Sequence, residues 1–431
     1  MKKMLNKNIK SPIILFGIIF IIFMSFIINN HFINNNSDSS MTSNQWIEDI
    51  DYLNTLLTEN HPYLNKNSTN FNKEIGKLKN DLKILDDEQI KIRLTQIVAS
   101  LGDGHTNIEL VNNYDEVYPL YLRWYGSSLV VESSSLEYRD LIGKKVVEIA
   151  NKPIKEVVDT INTLIPAESE MWVNYMNSVY IIQPKILKYL EIVENDKTTW
   201  KFQDDTGEFI TRDISIKKNG SFEVETIEPY IAIKDKTDHD WYWYKYIDKD
   251  KILYFQYNVC YDKYTIGDNN ADYPVFNDFL SEMKALIDSS DIDKLVIDLR
   301  NNGGGDSRVI TPFIEMIAKN HELNKRGKIF VIVGRKTFSG GVFAAYDITA
   351  KLEAISIGEP TGGLVNCTGN IRKVTLPNSK LNISYSTEQF YFSSKYNGSF
   401  IPDIIVNQSI ESSKNYIDDI YETIAKFDIK S

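Results

Sequence analysis

The stretch 294–345 constrains the fold of this chain more than any other part of the sequence. Residues 294–299, Lys-Leu-Val-Ile-Asp-Leu, form a short apolar run that is typical of a strand buried on both faces. The run ends in residues 300–305, Arg-Asn-Asn-Gly-Gly-Gly, and apolar residues then recur at helical spacing from 309 to 317. Because glycine adopts positive φ and leaves backbone N–H groups uncovered, the glycines predict a tight turn almost free of side chains. A strand, a glycine turn and a returning helix indicate an α/β unit.

The same pattern then repeats and ends at a serine. Residues 328–333 predict a second strand, Thr-Phe-Ser-Gly-Gly follows at 337–341, and residues 342–346 resume helical spacing. Ser339 is therefore expected near a helix N-terminus, where free N–H groups and the positive end of the helix dipole favour negative charge on a bound carbonyl oxygen. Serine is also a common N-cap, and glycine turns are common in α/β proteins, so these features alone favour a structural role.

Charge and cysteine content exclude several classes of function. The chain of 431 residues has 59 acidic and 48 basic residues and a net charge of −11, so we expect no nucleic-acid binding. It contains two cysteines, Cys260 and Cys367, and neither has a Cys or His close enough in sequence to suggest a metal motif. We therefore predict no metal and no cofactor. A core of this size does not require a disulfide between the two cysteines.

The N-terminus, residues 1–28, predicts an uncleaved membrane anchor formed by one transmembrane helix. Lysines precede an apolar run from residue 12 to residue 28 that is broken only by Gly17 and Ser25. The run is too long for an ordinary signal peptide, slightly short of the ~20 residues that cross a bilayer squarely, and without a small-residue cleavage site. Because the lysines lie on its N-terminal side, the rest of the chain is expected outside the cell membrane. Residues 29–43 are polar and predict a tether; the alternative is a cleaved signal and a secreted protein.

Residues 44–110 predict an N-terminal helical domain that ends at a histidine turn. Apolar residues at helical spacing predict three helices, the first ending at His61-Pro62 and the second lying over 71–85. The third helix stops at Gly102, so His105 stands on a glycine-flanked turn from which its ring can project. Among the other histidines, His61 is interpreted as a residue at a helix end, and His239 and His321 as solvated.

The rest of the chain predicts two further parts. Residues 116–225 are rich in strand patterns, with one helix over 154–164 and a hairpin over 199–216. Residues 226–431 predict an α/β core whose first strand lies at 252–258. Within this core, the charged and aromatic segment 235–250 is interpreted as a linker or surface loop.

Motifs in the last third of the chain resemble the tail-specific, or C-terminal-processing, serine peptidases. They are Asp298-Leu-Arg-Asn-Asn-Gly-Gly-Gly305, Phe338-Ser-Gly-Gly341, Gly358-Glu-Pro-Thr-Gly-Gly363 and the closing Pro402-Asp403-Ile404. The resemblance covers about residues 45–410 and implies a Clp protease/crotonase-like α/β core. Residues 143–153 resemble part of a PDZ-like domain, which implies a module that pairs a peptide with a sheet edge. A purely packing role for that module is the alternative.

The resemblance implies catalytic roles for two residues. Ser339 occupies the place of the nucleophile, and the turn 101–106 is similar to the turn that carries the catalytic histidine, here His105, in the tricorn-like branch of the family. The C-terminal-processing branch uses a lysine base instead, but Leu364 stands at that position and cannot accept a proton. We therefore expect His105 to take the proton from Ser339.

Two further groups are needed around this pair. The oxyanion site is expected from the backbone N–H of Gly340 together with that of Gly303 or Gly304. Tricorn-like members carry a glutamate shortly before the Pro-Asp element, but no carboxylate stands near 396–397 in this sequence. The loop 358–366 offers Glu359 and Asn366 as residues that orient His105, and we favour Asn366 because an amide can hold an imidazole tautomer.

The sequence thus predicts a membrane-anchored serine endopeptidase that faces outward and acts on protein or peptide substrates. The alternative is a catalytically silent protein that binds a peptide or hydrophobic ligand on the same fold. An enoyl-CoA hydratase-like enzyme is disfavoured by the export signal and by the serine and histidine pattern. The natural substrate and the oligomeric state are not indicated by the sequence.

Overall fold

The computed structural model describes residues 40–110, 115–227, 241–266 and 273–428. The predicted anchor, residues 1–28, and all but the end of the predicted tether lie outside these described residues. Within the described ranges, no helix is both long enough and apolar enough to cross a membrane.

Three helices form the N-terminal domain, in the places where the apolar spacing predicts them. They are α1 Ser43–Asn60, α2 Thr69–Asp81 and α3 Asp87–Ala99. Thr42 caps α1 and Asp86 caps α3, each in a capping box in which the side-chain oxygen of the glutamine three residues later accepts the N–H of the cap residue. A short strand, β1 Asn107–Ile108, follows the turn after α3. This arrangement places the histidine turn between α3 and β1.

A mainly antiparallel module follows. Its strands are β2 Glu116–Val117, β3 Leu120–Tyr125, β4 Ser128–Ser135, β5 Lys145–Ile149, β6 Lys152–Pro153, β7 Lys197–Gln203, β8 Phe209–Ser215, β9 Lys217–Lys218 and β10 Val224–Thr226. Its helices are α4 Ile154–Asn162, α5 Glu170–Tyr180 and α6 Pro184–Tyr189. The main sheet has the order β10-β4-β5-β7-β8, with β3 on β4 and β6 on β5. The sequence did not predict α5, because its buried face includes the polar Asn177 and Ser178 and so obscures the apolar spacing.

The remaining strands are β11 Tyr242–Ile247, β12 Ile252–Tyr257, β13 Lys294–Asp298, β14 Ile329–Val333, β15 Ala354–Gly358, β16 Cys367–Thr375, β17 Asn382–Phe390 and β18 Ile404–Ile405. Six of them form the core sheet, in the order β11-β12-β13-β14-β15-β18. All neighbours in it are parallel except β11, which pairs antiparallel with β12. The interpretation of 235–250 as a linker or loop is therefore wrong for its second half. The rings of Tyr242 and Tyr244 pack on Phe279, and this contact holds β11 as an edge strand.

Helices cover both faces of the core sheet. They are α7 Phe276–Ser289, α8 Thr311–Ala318, α9 Gly340–Lys351, α10 Ile410–Lys414 and α11 Asp419–Ala425. One apolar cluster joins α7, α8 and α9 to one face, and a second joins α11 to the other face. Because parallel strands end at the same edge, the loops after β13, β14 and β15 open side by side, and these loops contain the motifs that the sequence singled out.

The hairpin of β16 and β17 leaves the core sheet and joins the N-terminal domain. β17 pairs antiparallel with β1, and four residues of the hairpin complete the apolar core of α1–α3, namely Leu376, Leu381, Ile383 and Tyr385. The peptidase core predicted at 226–431 therefore contributes part of the helical domain. This pairing holds the histidine turn against the core. Cys260 and Cys367 are both buried and unpaired.

Candidate active site

Ser339 lies at the junction between the loop after β14 and α9. It is the N-cap of α9 and has φ +49° and ψ −127°, a backbone conformation that is uncommon for a residue with a side chain. The residue is partly exposed. A serine held in a strained turn at a helix N-terminus presents its hydroxyl above the turn, as activated serines do in other α/β enzymes.

Hydrogen bonds tie the serine loop to the glycine turn after β13. The Thr337 hydroxyl donates to the carbonyl of Leu299 at 2.8 Å, and the Phe338 N–H donates to the carbonyl of Asn302 at 2.9 Å. The side-chain amide of Asn302 in turn donates to the carbonyl of Tyr257 at 2.9 Å. The two motifs recognised in the sequence thus form one rigid unit across neighbouring strands.

The glycine turn approaches Ser339 so closely that a side chain would not fit. Gly304 has φ +111°, and a Cβ on it would lie 2.8 Å from the Cβ of Ser339 and 2.9 Å from the nitrogen of Gly340. The Gly304 carbonyl accepts the N–H of Cys260 at 2.8 Å, which anchors the turn from below. The absence of a side chain at residue 304 is therefore a geometric requirement of the serine site.

The structure corrects one predicted oxyanion donor. The N–H of Gly304 donates to Oδ1 of Asn302 at 2.9 Å and is therefore already engaged. Gly340 is the first residue of α9, where N–H groups have no acceptor within the helix. Of the sequence-predicted donors, Gly340 and Gly303 remain the candidates for binding a substrate carbonyl.

His105 lies on the turn between α3 and β1 and is only 5% exposed. Its ring packs on that of Phe338, with 4.8 Å between centroids, and Phe338 immediately precedes Ser339 in the chain. Among the described residues, neither ring nitrogen of His105 has a hydrogen-bond partner. The structure thus brings the predicted histidine to the serine loop and leaves its ring without the hydrogen bonds that a structural histidine would make.

Asp103 is the carboxylate next to the imidazole. Its Oδ1 accepts the backbone N–H of His105 at 3.0 Å and lies 3.6 Å from Nδ1 of the same residue. Its Oδ2 accepts from Nε2 of His61 at 3.0 Å and from the hydroxyl of Thr106 at 2.5 Å. Burial alone would raise the pKa of Asp103, but these partners outweigh it and hold the pKa well below its usual range. Asp103 is therefore a fixed negative charge beside His105.

His61 differs from its interpretation as a helix-end residue without further role. It is fully buried, and its Nδ1 accepts the N–H of Tyr63 at 3.2 Å. Because Nδ1 accepts, the proton resides on Nε2, which donates to Asp103. His61 thus fixes the position of the Asp103 carboxylate.

Glu168 is a second carboxylate at the site, and no pattern in the sequence selects it. It lies in the loop before α5, and its Oε2 accepts the N–H of Gly104 at 2.7 Å while Oε1 accepts the N–H of Leu364 at 3.3 Å. Ligand atoms of Asp103, His105 and Glu168 all lie within 4.8 Å of one another. Two carboxylates therefore flank one imidazole.

The two carboxylates change the titration of His105. Burial would lower the pKa of the imidazole, but Asp103 and Glu168 act in the opposite sense and the net result is a raised pKa. Burial raises the pKa of Glu168 to about 7, against the opposing effect of the neighbouring His105. The site thus contains a carboxyl group that titrates near neutral pH beside an imidazole whose pKa is raised.

The structure places the two predicted orienting residues elsewhere. The Asn366 side chain donates to the carbonyls of Ser393 and Tyr396 and accepts the N–H groups of residues 392 and 393, which closes a loop. Glu359 pairs with the guanidinium of Arg335. The prediction of either residue beside His105 is therefore wrong, because local partners of the loop 358–366 occupy both side chains. The carboxylate that lies beside His105 is instead that of Asp103.

Within the described part of the chain, Asp103, His105 and Glu168 form a cluster of residue types that can bind metal ions. Each of its four carboxylate oxygens already accepts a hydrogen bond from a backbone or side-chain donor. These hydrogen bonds hold both carboxylates in place around the imidazole.

Comparisons with known proteins relate part of the chain to one family. Residues 264–406, about one third of the chain, match the model of Peptidase family S41. No curated protein sequence matches the chain.

Among solved structures, the chain is similar to mature CPAF and to mature CPAF complexed with lactacystin. Each comparison gives a TM-score of 0.65 at 11% identity and covers 89% of this chain, and it covers 96% and 97% of the respective CPAF chains. The tricorn protease is also similar, with a TM-score of 0.46 at 14% identity over 89% of this chain and 36% of that chain. The likeness to CPAF shows a shared fold.

Proposed function

Because the chain belongs to Peptidase family S41 and is a serine peptidase, we propose that it is an endopeptidase that forms an acyl-enzyme on Ser339, with His105 as general base. One observation carries this proposal. His105 lies more than two hundred residues upstream of Ser339, yet its ring packs on Phe338, the residue before the serine. A buried imidazole with free ring nitrogens beside a strained serine is the arrangement that nucleophilic catalysis requires.

The proposed reaction follows from these positions. Nδ1 of His105 faces Asp103, so Nε2 is the nitrogen that takes the hydroxyl proton as Ser339 attacks the substrate carbonyl. The carbonyl oxygen becomes an oxyanion, which the N–H groups of Gly340 and Gly303 stabilise. His105 then gives its proton to the leaving amine as the C–N bond breaks. Water activated by the same imidazole releases the acyl group and restores the serine.

Asp103 supplies the third part of this mechanism. Its charge stabilises the imidazolium that forms when His105 accepts the proton, and it favours the tautomer with the proton on Nδ1. His61 and Thr106 keep the carboxylate in place, and both donate to the oxygen that does not face the imidazole. Because the pKa of Asp103 lies well below its usual range, the carboxylate is charged near neutral pH.

The structure also bears on the lysine mechanism of related peptidases. Leu364 occupies the position at which that branch carries its lysine, and in this chain its backbone N–H donates to Glu168. An aliphatic side chain accepts no proton, so the base has to come from elsewhere, and His105 is the group that the fold supplies.

The location and substrate belong to the same proposal. The apolar run 12–28 with lysines before it supports a membrane anchor and an outward-facing peptidase. The sheet of β3–β8 with α4, together with the resemblance at 143–153, supports a PDZ-like module that presents an extended protein or peptide substrate.

A fluorophosphonate probe tests the activated serine without knowledge of the substrate. We expect the purified chain from residue 40 onward, and the full chain in detergent, to be labelled once, at Ser339. The variant Ser339→Ala should lose labelling while its thermal unfolding stays unchanged, and His105→Gln should slow labelling by about 10²–10⁴-fold. Labelling that persists in Ser339→Ala would reject the nucleophile. A wild-type chain that neither reacts with the probe nor cleaves peptides would instead support the silent binding protein.

A further inference from the structure

Glu168 is a titratable group beside His105 that the mechanism above does not use. It comes from neither the N-terminal domain nor the core, but from the loop that leads into α5 of the middle module. Its two oxygens bind N–H groups of the other two parts, Gly104 on the histidine turn and Leu364 on the core loop. One carboxylate therefore joins three parts of the molecule at the imidazole.

We propose that Glu168 is a positioning residue for the reaction, which holds the histidine turn against the core and, together with Asp103, stabilises the imidazolium form of His105. The inference rests on the proposed function of Ser339 and His105. It assigns a role to a residue that no motif in the sequence marks.

The surroundings of Glu168 are built to hold it in this place. The hydroxyl of the next residue, Ser169, donates to the carbonyl of Gly362 at 2.6 Å. One turn later, Trp172 stacks on Phe338 with 4.1 Å between centroids. The backbone around Glu168 is thus fixed to the core at two points, which keeps its side chain within reach of the histidine turn.

The histidine turn is shaped to receive the carboxylate. A Cβ on residue 104 would lie 2.3 Å from Oε2 of Glu168 and 2.7 Å from the ring of Phe338. Only glycine therefore allows the short hydrogen bond from this N–H to Glu168. Gly104 does not have a positive φ, so its backbone alone does not require glycine, and the approach of Glu168 and Phe338 accounts for it.

Charge supports the same role. The titratable groups that face Glu168 and His105 are Asp103, Tyr63 and Cys367, and His61 lies beyond Asp103. Burial raises the pKa values of Tyr63 and Cys367, so both stay neutral near pH 7. Asp103 and the ionised form of Glu168, whose pKa is about 7, are thus the anions beside the imidazole, and both raise the pKa of His105.

The effect on the reaction follows from when the charges appear. Before proton transfer His105 is neutral and gains little from Glu168. After transfer the imidazolium is attracted by Glu168, and the attraction is largest in the transition state and the intermediate. Removing the charge should therefore lower kcat more than it changes KM.

The first test is Glu168→Gln, with Glu170→Gln as a matched control at an exposed glutamate two residues later. We expect Glu168→Gln to lower kcat for a fluorogenic peptide by about 10–100-fold with little change in KM, less than for Asp103→Asn because Glu168, with its pKa raised to about 7, is only partly ionised near neutral pH. The acid limb of the pH profile should move to lower pH, since the charge that raises the pKa of His105 is gone. Glu170→Gln should leave both unchanged.

The second test measures His105 directly and needs no activity. In the Ser339→Ala background, the ¹⁵N and ¹³C imidazole signals of His105 give its pKa with and without Glu168→Gln, and the carboxyl ¹³C signal of Glu168 should shift as His105 titrates. An unchanged pKa in the folded variant, or a carboxyl signal that ignores the titration, would overturn the proposal even if kcat fell, because a purely structural tether has those properties. If Glu168→Gln does not fold, the carboxyl signal in the chain that retains Glu168 decides alone. A wild type that fails to react with the fluorophosphonate would reject the proposed function and leave the titration result valid.

Discussion

The substitution Asp103→Asn tests the assignment of the orienting carboxylate most directly. Oδ1 of Asp103 lies 3.6 Å from Nδ1 of His105, and both side chains are almost completely buried. At this distance, two unit charges in a medium with an effective dielectric constant near 20 attract each other by about 4–5 kcal/mol. Most of this attraction appears only when His105 carries the proton, so its loss should slow acylation by about 10³-fold.

Hydrogen bonding reinforces the loss of charge. His61 and Thr106 both need an acceptor, so in the variant the oxygen of the new amide has to face them and its NH₂ group has to face His105. An NH₂ group beside Nδ1 favours the imidazole tautomer with the proton on Nε2, which cannot take a proton from Ser339. The substitution thus removes the charge and selects the wrong tautomer.

The assay is the rate constant for fluorophosphonate labelling between pH 5 and pH 9, which requires no knowledge of the substrate. We expect the plateau to fall by about 10³-fold and the remaining acid limb to move to lower pH, because the charge of Asp103 raises the pKa of His105. Asp293→Asn, a change at an exposed aspartate before β13, serves as the control. A folded Asp103→Asn that reacts within tenfold of wild type would refute the role of Asp103.

Three further predictions concern the same site. In the wild type, activity should disappear on acidification with a midpoint above ~6.5, the usual pKa of histidine, because His105 has a raised pKa and is protonated at higher pH. A midpoint clearly below that value would contradict the effect of Asp103 and Glu168 on His105. Gly304→Ala should slow labelling at least a hundredfold, because its Cβ would meet Ser339, whereas Gly220→Ala has a similar positive φ with open space around it and should leave labelling unchanged. His61→Phe removes the donor to Oδ2 of Asp103 and should lower the labelling rate by about tenfold, since hydrogen bonds to a charged group contribute about 1.5–3 kcal/mol, part of which Thr106 retains; equal rates would show that His61 only packs.

The core of the fold could be predicted because its signals are local. The buried runs of β13 and β14 are β-branched and short, and the glycine turn and Ser339 follow them directly in the sequence. The edge strand β11 was missed because lysine and partly exposed rings interrupt its pattern, and its stability comes from packing on α7. Pattern alone does not report contacts with a helix that follows thirty residues later.

The prediction of the residue that orients His105 failed for a different reason. The family pattern directed attention to the loop 358–366, but local hydrogen bonds use both Asn366 and Glu359. A local signal for Asp103 did exist, because an aspartate two residues before His105 can accept its N–H in an Asx turn and so stay beside the ring. For Glu168 no local signal exists. Its partners lie 64 and 196 residues away, and only the folded chain shows that they meet.

This distribution of the site over the chain makes the proposed activity conditional on docking. The proposed nucleophile lies on the core, the proposed base lies on the N-terminal domain, and Glu168 on the middle module accepts a backbone N–H from each of these two parts. The hairpin of β16 and β17 makes the N-terminal domain harder to remove from the core. By sequence it belongs to the core, but it provides apolar residues for the helical domain. Removing residues 44–110 would therefore expose the buried face of the hairpin as well as delete His105. The helical domain is thus an integral part of the proposed site, and a serine on the isolated core would lack the proposed base, the proposed orienting carboxylate and the ring contact at Phe338.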